Sequence, residues 1–425
     1  LLVLEGYGGL RRRVRRSIRQ HDDVERLALL QAMELSLQGV NDWYQRWASR
    51  LAMAAREFPQ HAERLNRQAA SHQWLAHQAP RTFAEGVQLI YGVICLAQLE
   101  GFRNLPLGRL DQILFPLYAN DLAARRVTAD EAQACLNELA DKLAGNGDVH
   151  DVTLGGCTVE EGHNAANELT MMLILAAGQA GVPGLNPVLR CQSETDAKLL
   201  TLMALCAQEQ VLFPAILNDT TQIPALLAAE IPVELARDYA AVGAPGIGLA
   251  GYSGPWANGQ VNLTKAVNLV LFNGIDSLTG LRLGPATGEP GTFAEFQEAY
   301  KQQVRQLFTV ELQRLRESIP GQASPLFSML IRDYILRGRD LHQGGAYQPG
   351  GQILQLTGMG TALRCLGLVR QWVYETPRFT LHRLRALVNA NFSGALSDGA
   401  WLLAAGHDLH LMPEWLTCLE TELLS

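Results

Sequence analysis

The side chain best suited to bind a small anion is that of Arg190, at the end of the apolar run P-V-L-R at residues 187–190. A guanidinium can donate two parallel hydrogen bonds to a carboxylate and so orient a small ligand. If the run is a strand, Arg190 and Cys191 point to opposite faces, so at most one of them faces a cavity. The favoured alternative is a structural ion pair between Arg190 and a carboxylate such as Asp219 or Glu168.

Other polar side chains could also face a cavity, and we include four of them as pocket candidates: Asp111, Asn218, Asp219 and Tyr239. Buried polar groups need hydrogen-bond partners whether or not they react, so the same residues could instead hold the fold. The sequence therefore assigns no catalytic residue.

No motif for a metal or a cofactor stands out. The seven cysteines are an odd number, widely spread and without a C-x-x-C pair. His150 and His163, which we expect in loops, and His342 lack metal-ligand spacing with a cysteine or a carboxylate. The glycine-rich stretches lack the G-x-G-x-x-G pattern that binds dinucleotides. We expect no metal and no cofactor, and reduced thiols fit a cytoplasmic protein.

The composition is that of a large folded protein. The 425 residues are 48% hydrophobic and 18% charged, enough to bury one large core or two smaller ones. A net charge of −7 gives no reason to expect nucleic acid, and no run of 18 apolar residues predicts a membrane span. The basic run at residues 11–16 fits a solvated helix face better than a docking site. Because Leu1 is not a methionine, we expect the sequence to begin inside a longer reading frame.

Two kinds of pattern follow one another along the chain. Residues 23–77 repeat apolar positions at helical spacing and predict two or three long helices. Thr128 and Glu131 have the spacing of a capping box. Short apolar runs at 152–155, 187–191 and 212–217 then predict buried strands, with helices at 166–180 and 196–209 between them. This alternation favours an α/β barrel or an open sheet with outer helices. Glycine-rich loops are expected at 243–259 and 344–351.

Several short motifs occur in a fixed order: P-R-T-F-A-E at 80–85, L-G-R-L-D-Q at 107–112, T-L-G-G at 153–156, N-E-L-T at 167–170, A-R-D-Y at 236–239, G-P-A-T-G at 284–288 and R-G-R-D at 337–340. Each motif is weak alone, but the ordered set resembles the glycyl radical enzymes, the superfamily of pyruvate formate-lyase and the diol dehydratases. The resemblance implies a pyruvate formate-lyase-like α/β barrel. It also implies that the stretch 252–259 lines the substrate cavity, which adds Tyr252, Trp256 and Asn258 to the pocket candidates.

The departures from this family concern its chemistry. The family's A-R-D-Y-x-x-x-G-C-x-E places a radical-relay cysteine where this chain has Ala244, and a glutamate where it has Gly246. The R-V-x-G-Y loop of the C-terminal radical domain is missing from the sequence. An alkyl side chain cannot relay a hydrogen atom, and an engineered cysteine-to-alanine change would explain Ala244 but not Gly246. Cys157 could replace the thiol, but a buried filler is the favoured interpretation because no basic neighbour marks it as activated.

Two functions remain open at this point. The first is a non-radical, oxygen-tolerant enzyme of the lyase, cyclase or transferase type, with a pocket for a small polar ligand bordered by Arg190, Ala244, Trp256 and Asn258. The alternative is a catalytically inactive accessory subunit that binds a metabolite or a partner chain. We expect an N-terminal helical layer at 1–80 and the barrel at 81–425, without the radical domain. The sequence leaves a homodimer or a partner protein open.

Overall fold

A computed structural model describes residues 2–181, 184–208, 215–243, 246–249, 251–252, 257–317, 323–343 and 352–392. The α-helices are α1 Leu2–Ile18, α2 Val24–Glu57, α3 Ala62–Leu75, α4 Phe83–Leu99, α5 Leu110–Ala123, α6 Ala129–Gly145, α7 Glu168–Gln179, α8 Ala197–Gln208, α9 Asp219–Ala228, α10 Val233–Arg237, α11 Leu263–Leu271, α12 Phe293–Glu317, α13 Pro325–Met329, α14 Arg332–Arg337, α15 Met359–Val369 and α16 Leu381–Asn389. The strands are β1 His150–Gly155, β2 Leu185–Cys191, β3 Ala215–Asn218, β4 Tyr239–Ala241, β5 Ile247–Leu249, β6 Ala257–Asn262 and β7 Gln352–Thr357. Short 3₁₀ turns cover Pro59–His61 and Leu341–Gln343, and a π-helical turn covers Arg370–Glu375.

The chain divides into two compact units. The first comprises the described residues of Leu1–Trp256 and Pro320–Gly351, and the second those of Ala257–Ile319 and Gln352–Ser425. Helices and parallel strands occur in both units, which confirms the predicted α/β class. The boundary predicted between a helical layer and a barrel near residue 80, and closure of the sheets into a barrel, stay predictions.

A parallel sheet of the order β1-β2-β3 lies at the centre of the first unit. All six residues of β1 are buried, as expected for a parallel strand that is covered on both faces. Leu154 and Leu189 pair across β1 and β2 and pack with Leu114 of α5 and Leu173 of α7. The three predicted strand runs are therefore confirmed as neighbours, with β3 described from Ala215 onward.

Helices cover the N-terminal part of the first unit, as the apolar periodicity predicted for residues 23–77. The buried side chains of α2, such as Leu37 and Tyr44, pack with Leu75 of α3 and with Leu89 and Leu96 of α4. The predicted capping box of Thr128 and Glu131 is confirmed, and Thr82 caps α4 by accepting from the backbone N–H of Glu85. No part of the described chain contains a helix long and apolar enough to cross a membrane.

The basic run at residues 11–16 lies on α1, a helix that the periodicity analysis did not predict. Arg11 and Arg15 pair with Glu34 of α2, and Arg13 pairs with Glu5. These two carboxylates thus pair with three of the five arginines of the run. The pairs support its interpretation as a helix face rather than as a docking site.

The glycine-rich stretch at 243–259 was expected to be an irregular loop, and that expectation was wrong for residues 247–249 and 257–259, whereas the stretch at 344–351 lies outside the described residues. Ile247–Leu249 pairs antiparallel with Tyr239–Ala241 as the hairpin β4–β5, and Ala257–Asn262 begins the second unit as β6. Glycine lowers strand propensity, but backbone pairing with a neighbouring strand overrides that local preference. Likewise, His150 does not lie in a loop, because it is the first residue of β1.

The second unit is built on the parallel pair β6–β7, with Asn258 opposite Ile353 and Val261 opposite Leu356. Helices α11, α12 and α15 form its core, in which Val267, Phe296 and Leu363 pack together. Lys265 donates to Asp276 at 2.7 Å, which ties the start of α11 to the loop that follows it.

Candidate functional site

A buried ion pair lies at the end of β2. The Nε and Nη2 atoms of Arg190 each donate to one oxygen of Asp219 at 2.9 Å, and the two residues are 0% and 3% exposed. Asp219 begins α9, directly after β3, so the two carboxyl ends of neighbouring parallel strands supply the pair. This two-pronged geometry matches the planar guanidinium to the carboxylate. The structural ion pair predicted as the alternative to ligand binding is therefore present, with Asp219 rather than Glu168 as the partner.

The guanidinium of Arg190 also packs closely against its neighbours. Its central carbon lies 3.9 Å from the centroid of the Tyr239 ring, and Gly156 lies close beside it. A Cβ atom on Gly156 would lie 2.6 Å from Arg190 Nε, so only glycine leaves room for the guanidinium there. Gly156 has φ +76°, a conformation that also favours glycine. The second glycine of T-L-G-G is thus explained by the packing of Arg190.

Tyr239 completes the same cluster. Its hydroxyl donates to Asp219 Oδ1 at 2.7 Å, and its carbonyl accepts from Arg190 Nη1 at 2.9 Å. Burial raises the pKa of Tyr239, so the hydroxyl stays protonated and acts as a donor. We call the cluster of Gly156, Arg190, Asp219 and Tyr239 the arginine stack.

Cys157 contacts the edge of the arginine stack. Its Sγ accepts from Arg190 Nη2 at 3.7 Å, and the side chain is 2% exposed. Burial raises the pKa of this thiol, which keeps it neutral and weakly nucleophilic. The expectation that no basic residue lies beside Cys157 was therefore wrong, but burial outweighs the lowering effect of Arg190 and Arg109 on the thiol pKa and still favours a buried filler over a replacement for the missing thiol.

A second buried arginine was not among the pocket candidates, although it lies in the L-G-R-L-D-Q motif. Arg109 donates to the carbonyls of Gly155 and Cys157 at 3.0 and 2.7 Å, and to Asp238 at 3.2 Å. Asp111, two residues later, accepts from Gly155 N–H at 2.8 Å and from the Thr170 hydroxyl at 2.7 Å. Burial raises the pKa of Asp111. Both side chains hold the turn after β1 and have protein partners.

The hairpin β4–β5 leads to the position where the family has its cysteine. Val242 N–H donates to Gly246 O at 2.8 Å and closes the turn, while Ala241 N–H donates to the Thr153 hydroxyl of β1 at 2.8 Å. Ala244 itself lies outside the described residues, as does Trp256. The described flanks therefore form a closed hairpin attached to the central sheet.

The remaining pocket candidates are not brought to the arginine stack. Asn218 is exposed and caps α9 by accepting from Thr220 N–H. Tyr252 packs beside Leu249, and its hydroxyl contacts Arg332 Nη1 at 2.6 Å. The backbone of Asn258 pairs within β6–β7, and the position of its side chain lies outside what is described.

Histidines and carboxylates do not gather into a metal site in the described ranges, where no group of three or more potential ligands occurs. One cluster in the first unit contains Ser324, Asp340 and His342. Asp340 accepts from the backbone of Ser324 and His342 and from the Ser328 hydroxyl, while Ser324 Oγ lies 3.4 Å from His342 Nε2. The carboxylate is occupied by backbone groups rather than by the imidazole, so the cluster holds a turn and does not form a catalytic triad.

Residues 1–401 match the sequence family described as pyruvate formate lyase-like. The chain belongs to this family. Among curated proteins, it is 28% identical over 393 residues to a (2S)-3-sulfopropanediol dehydratase of Klebsiella oxytoca, covering 85% of this chain and 47% of that protein. It is 26% identical over 409 residues to an isethionate sulfite-lyase of Nitratidesulfovibrio vulgaris, covering 88% and 49%. The chain spans about half the length of these pyruvate formate lyase-like relatives.

A solved structure shares the fold. The structure reported for 1,2-propanediol dehydration in Roseburia inulinivorans superposes with a TM-score of 0.84 over 95% of this chain and 54% of that one, at 22% identity. The resemblance to glycyl radical enzymes and the pyruvate formate lyase-like fold are therefore confirmed. The curated relatives of this pyruvate formate lyase-like chain are dehydratases and lyases.

Proposed function

We propose that this chain binds a small hydroxylated metabolite and does not act on it through a thiyl radical at position 244. The observation that carries the proposal is the alanine at that position, in a chain whose flanking hairpin and anchoring residues are intact. A hydrogen atom relay needs an S–H bond, and Ala244 has none. The proposal does not depend on where the sequence begins or ends.

A polar reaction on the substrates of the relatives has a chemical obstacle. In a 1,2-diol or in isethionate, no carbonyl adjoins the C–H bond next to the hydroxyl group. Its proton is therefore far too weakly acidic to be removed by a carboxylate or an imidazole, the bases whose pKa values lie near the operating pH. A non-radical lyase of this family would thus need a different class of substrate.

The described residues add a second argument against turnover. A general acid or base must reach the substrate with a free lone pair or proton. The polar side-chain atoms of Asp111, Asp219 and Tyr239 instead form hydrogen bonds with other protein groups. Of the two functions that the sequence left open, binding without catalysis is therefore the one we favour, and a non-radical enzyme is the second candidate.

The pocket residues of this proposal are Ala244, Tyr252 and Trp256. Aromatic side chains are suited to a small ligand with several hydroxyl groups, because the rings pack against carbon and a tyrosine hydroxyl both donates and accepts. The names of the relatives suggest three ligands: (2S)-3-sulfopropanediol, isethionate and 1,2-propanediol. Each is small and carries a hydroxyl group, and two of them carry a sulfonate.

Isothermal titration calorimetry with these three compounds tests the proposal. The matched controls are propane-1-sulfonate, ethanesulfonate and 1-propanol, which keep the carbon skeleton of each compound but lack one or both of its hydroxyl groups. We expect saturable binding of at least one hydroxylated compound and at least about ten-fold weaker binding of its control, the loss expected when a site built for a hydroxyl group is left unpaired.

Variants locate the site. Trp256→Ala and Tyr252→Ala should each weaken binding about ten-fold or more, the range found when an aromatic or hydrogen-bonding contact at the centre of a site is removed. Trp47→Ala, in α2 with a 41% exposed ring, is the matched control and should bind normally. If both pocket variants bind as tightly as the unmodified chain, the pocket assignment is wrong. If none of the compounds binds, the ligand class is wrong.

A further inference from the structure

We propose that Arg190 is a positioning residue whose stack holds strand β4 and thereby the hairpin that leads to position 244. This role is independent of which ligand the protein binds and of whether it binds one. It also differs from a ligand-binding role, because the guanidinium acts through the protein backbone.

The hairpin is too short to hold itself. Strands β4 and β5 have three residues each, paired from Tyr239 opposite Leu249 to Ala241 opposite Ile247. Isolated two-stranded hairpins are at best marginally stable in water, even when they are longer. The position of this hairpin must therefore be set by contacts with the rest of the first unit.

Those contacts converge on β4. Arg190 donates to the carbonyl of Tyr239, Asp219 accepts from the Tyr239 hydroxyl, and Thr153 accepts from the N–H of Ala241. Immediately before β4, Arg109 contacts the carbonyl of Arg237 at 3.4 Å. Four anchors from β1, β2, α9 and the segment before α5 thus contact three residues, Arg237, Tyr239 and Ala241, within five positions of the chain.

Arg190 has the central place among these anchors. Its guanidinium donates four hydrogen bonds: two to Asp219, one to the Tyr239 carbonyl and one to Cys157 Sγ. The five N–H groups of a guanidinium therefore have little capacity left for a ligand. Its charge is compensated by Asp219, so the cluster carries no unpaired charge that would call for an anion.

The retained stack is consistent with the loss of the thiol. Removing one partner of a buried ion pair leaves an uncompensated charge, a change that is strongly destabilising. Arg190, Asp219 and Gly156 can therefore be required for folding even where residue 244 no longer takes part in radical chemistry. We infer that the arginine stack is a structural element that can persist after the radical reaction is lost.

Hydrogen–deuterium exchange on the full chain tests this role. In Arg190→Lys, which keeps the charge but loses the fork and the stacking, peptides covering residues 239–249 should exchange about ten-fold faster or more. Tyr239→Phe keeps the ring over the guanidinium and loses one hydrogen bond, so the same peptides should show a smaller acceleration. Peptides from α6 should be unchanged in both variants.

The control is Asp276→Asn, which breaks the Lys265 pair in the second unit and should leave the exchange rate of residues 239–249 unchanged.

A second readout uses Ala244→Cys. The alkylation rate of the new thiol, measured on its peptide, should rise when Arg190→Lys is added. Faster exchange spread evenly over the first unit would show a merely general effect on stability and would overturn the proposal. So would unchanged exchange at 239–249 in a folded Arg190→Lys variant. If Arg190→Lys does not fold, the Tyr239→Phe result decides: acceleration confined to 239–249 supports the proposal, and its absence contradicts it.

Discussion

At the scale of single residues, the chemistry of this protein is decided by what each polar group already contacts. Arg190 and Tyr239 were pocket candidates because of their residue types, and the structure gives both of them buried protein partners. Residue type shows what a side chain can do. Only its neighbours show whether it is free to do it.

Gly156 allows this packing to be tested directly. In Gly156→Ala, the new Cβ would meet Arg190 Nε at 2.6 Å in addition to adopting a strained φ of +76°. The matched control is Gly101→Ala, which has φ +86° but open space around the Cβ. We expect the control to cost about 1–2 kcal/mol through strain alone. Gly156→Ala should cost roughly 1–3 kcal/mol more through overpacking.

Urea unfolding of both variants measures this difference. Equal losses of unfolding free energy would mean that the guanidinium moves aside without cost. The arginine stack would then not be a rigid element.

At the scale of secondary structure, much of the fold was readable from the sequence. The runs at 152–155 and 187–191 were found because parallel strands buried on both faces are continuously apolar. The cap of α6 was found because Thr128 precedes Glu131 by three positions, the spacing of a capping box.

Other elements could not be predicted from local sequence patterns. The hairpin β4–β5 is short and rich in glycine, so its strands depend on tertiary anchors that leave no local pattern. The basic run at residues 11–16 was interpreted as a helix face, but the extent of α1 was not predicted, because the arginines obscure the apolar face formed by Tyr7, Leu10 and Val14. The site was only partly predictable for a related reason. Residue types identified Arg190 and Asp219 as candidates, but the closed cluster that they form depends on tertiary contacts.

Strand β1 begins with a histidine whose burial should make stability depend on pH. His150 is fully buried, its Nδ1 accepts from Leu105 N–H, and burial lowers its pKa, an effect that Asp148 and Asp151 oppose. Because the unfolded chain binds this proton more tightly, unfolding becomes easier as the pH falls below about 6.5, the ordinary pKa of histidine. Above that pH the contribution is fully present.

Urea unfolding at pH 7.5 and at pH 5.5 tests this dependence. His150→Asn can still accept from Leu105 N–H and cannot be protonated, so it should lose less stability than the unmodified chain between the two pH values. The exposed His163, in His163→Asn, is the control. An identical pH dependence in His150→Asn and the unmodified chain would show that His150 does not titrate on unfolding.

At the scale of the whole molecule, the protein combines a family fold with a changed reactive position. The pyruvate formate lyase-like match covers residues 1–401, and the superposition on a relative reaches a TM-score of 0.84. Fold likeness alone does not carry function, because function depends on the groups at the site. The proposal that this chain does not use a thiyl radical at position 244 rests on Ala244, which replaces the family's cysteine, while the described hairpin and its anchors are present.

The central claim is binding without turnover, and nuclear magnetic resonance in D₂O tests it most directly. The chain is incubated with each of (2S)-3-sulfopropanediol, isethionate and 1,2-propanediol, with and without air, and the ligand is then quantified. We predict that the compound that binds in calorimetry is recovered intact, with no solvent deuterium on its carbon atoms. An aldehyde product, released sulfite or deuterium on carbon would contradict the claim, because each requires cleavage of a bond that this site is proposed to leave untouched.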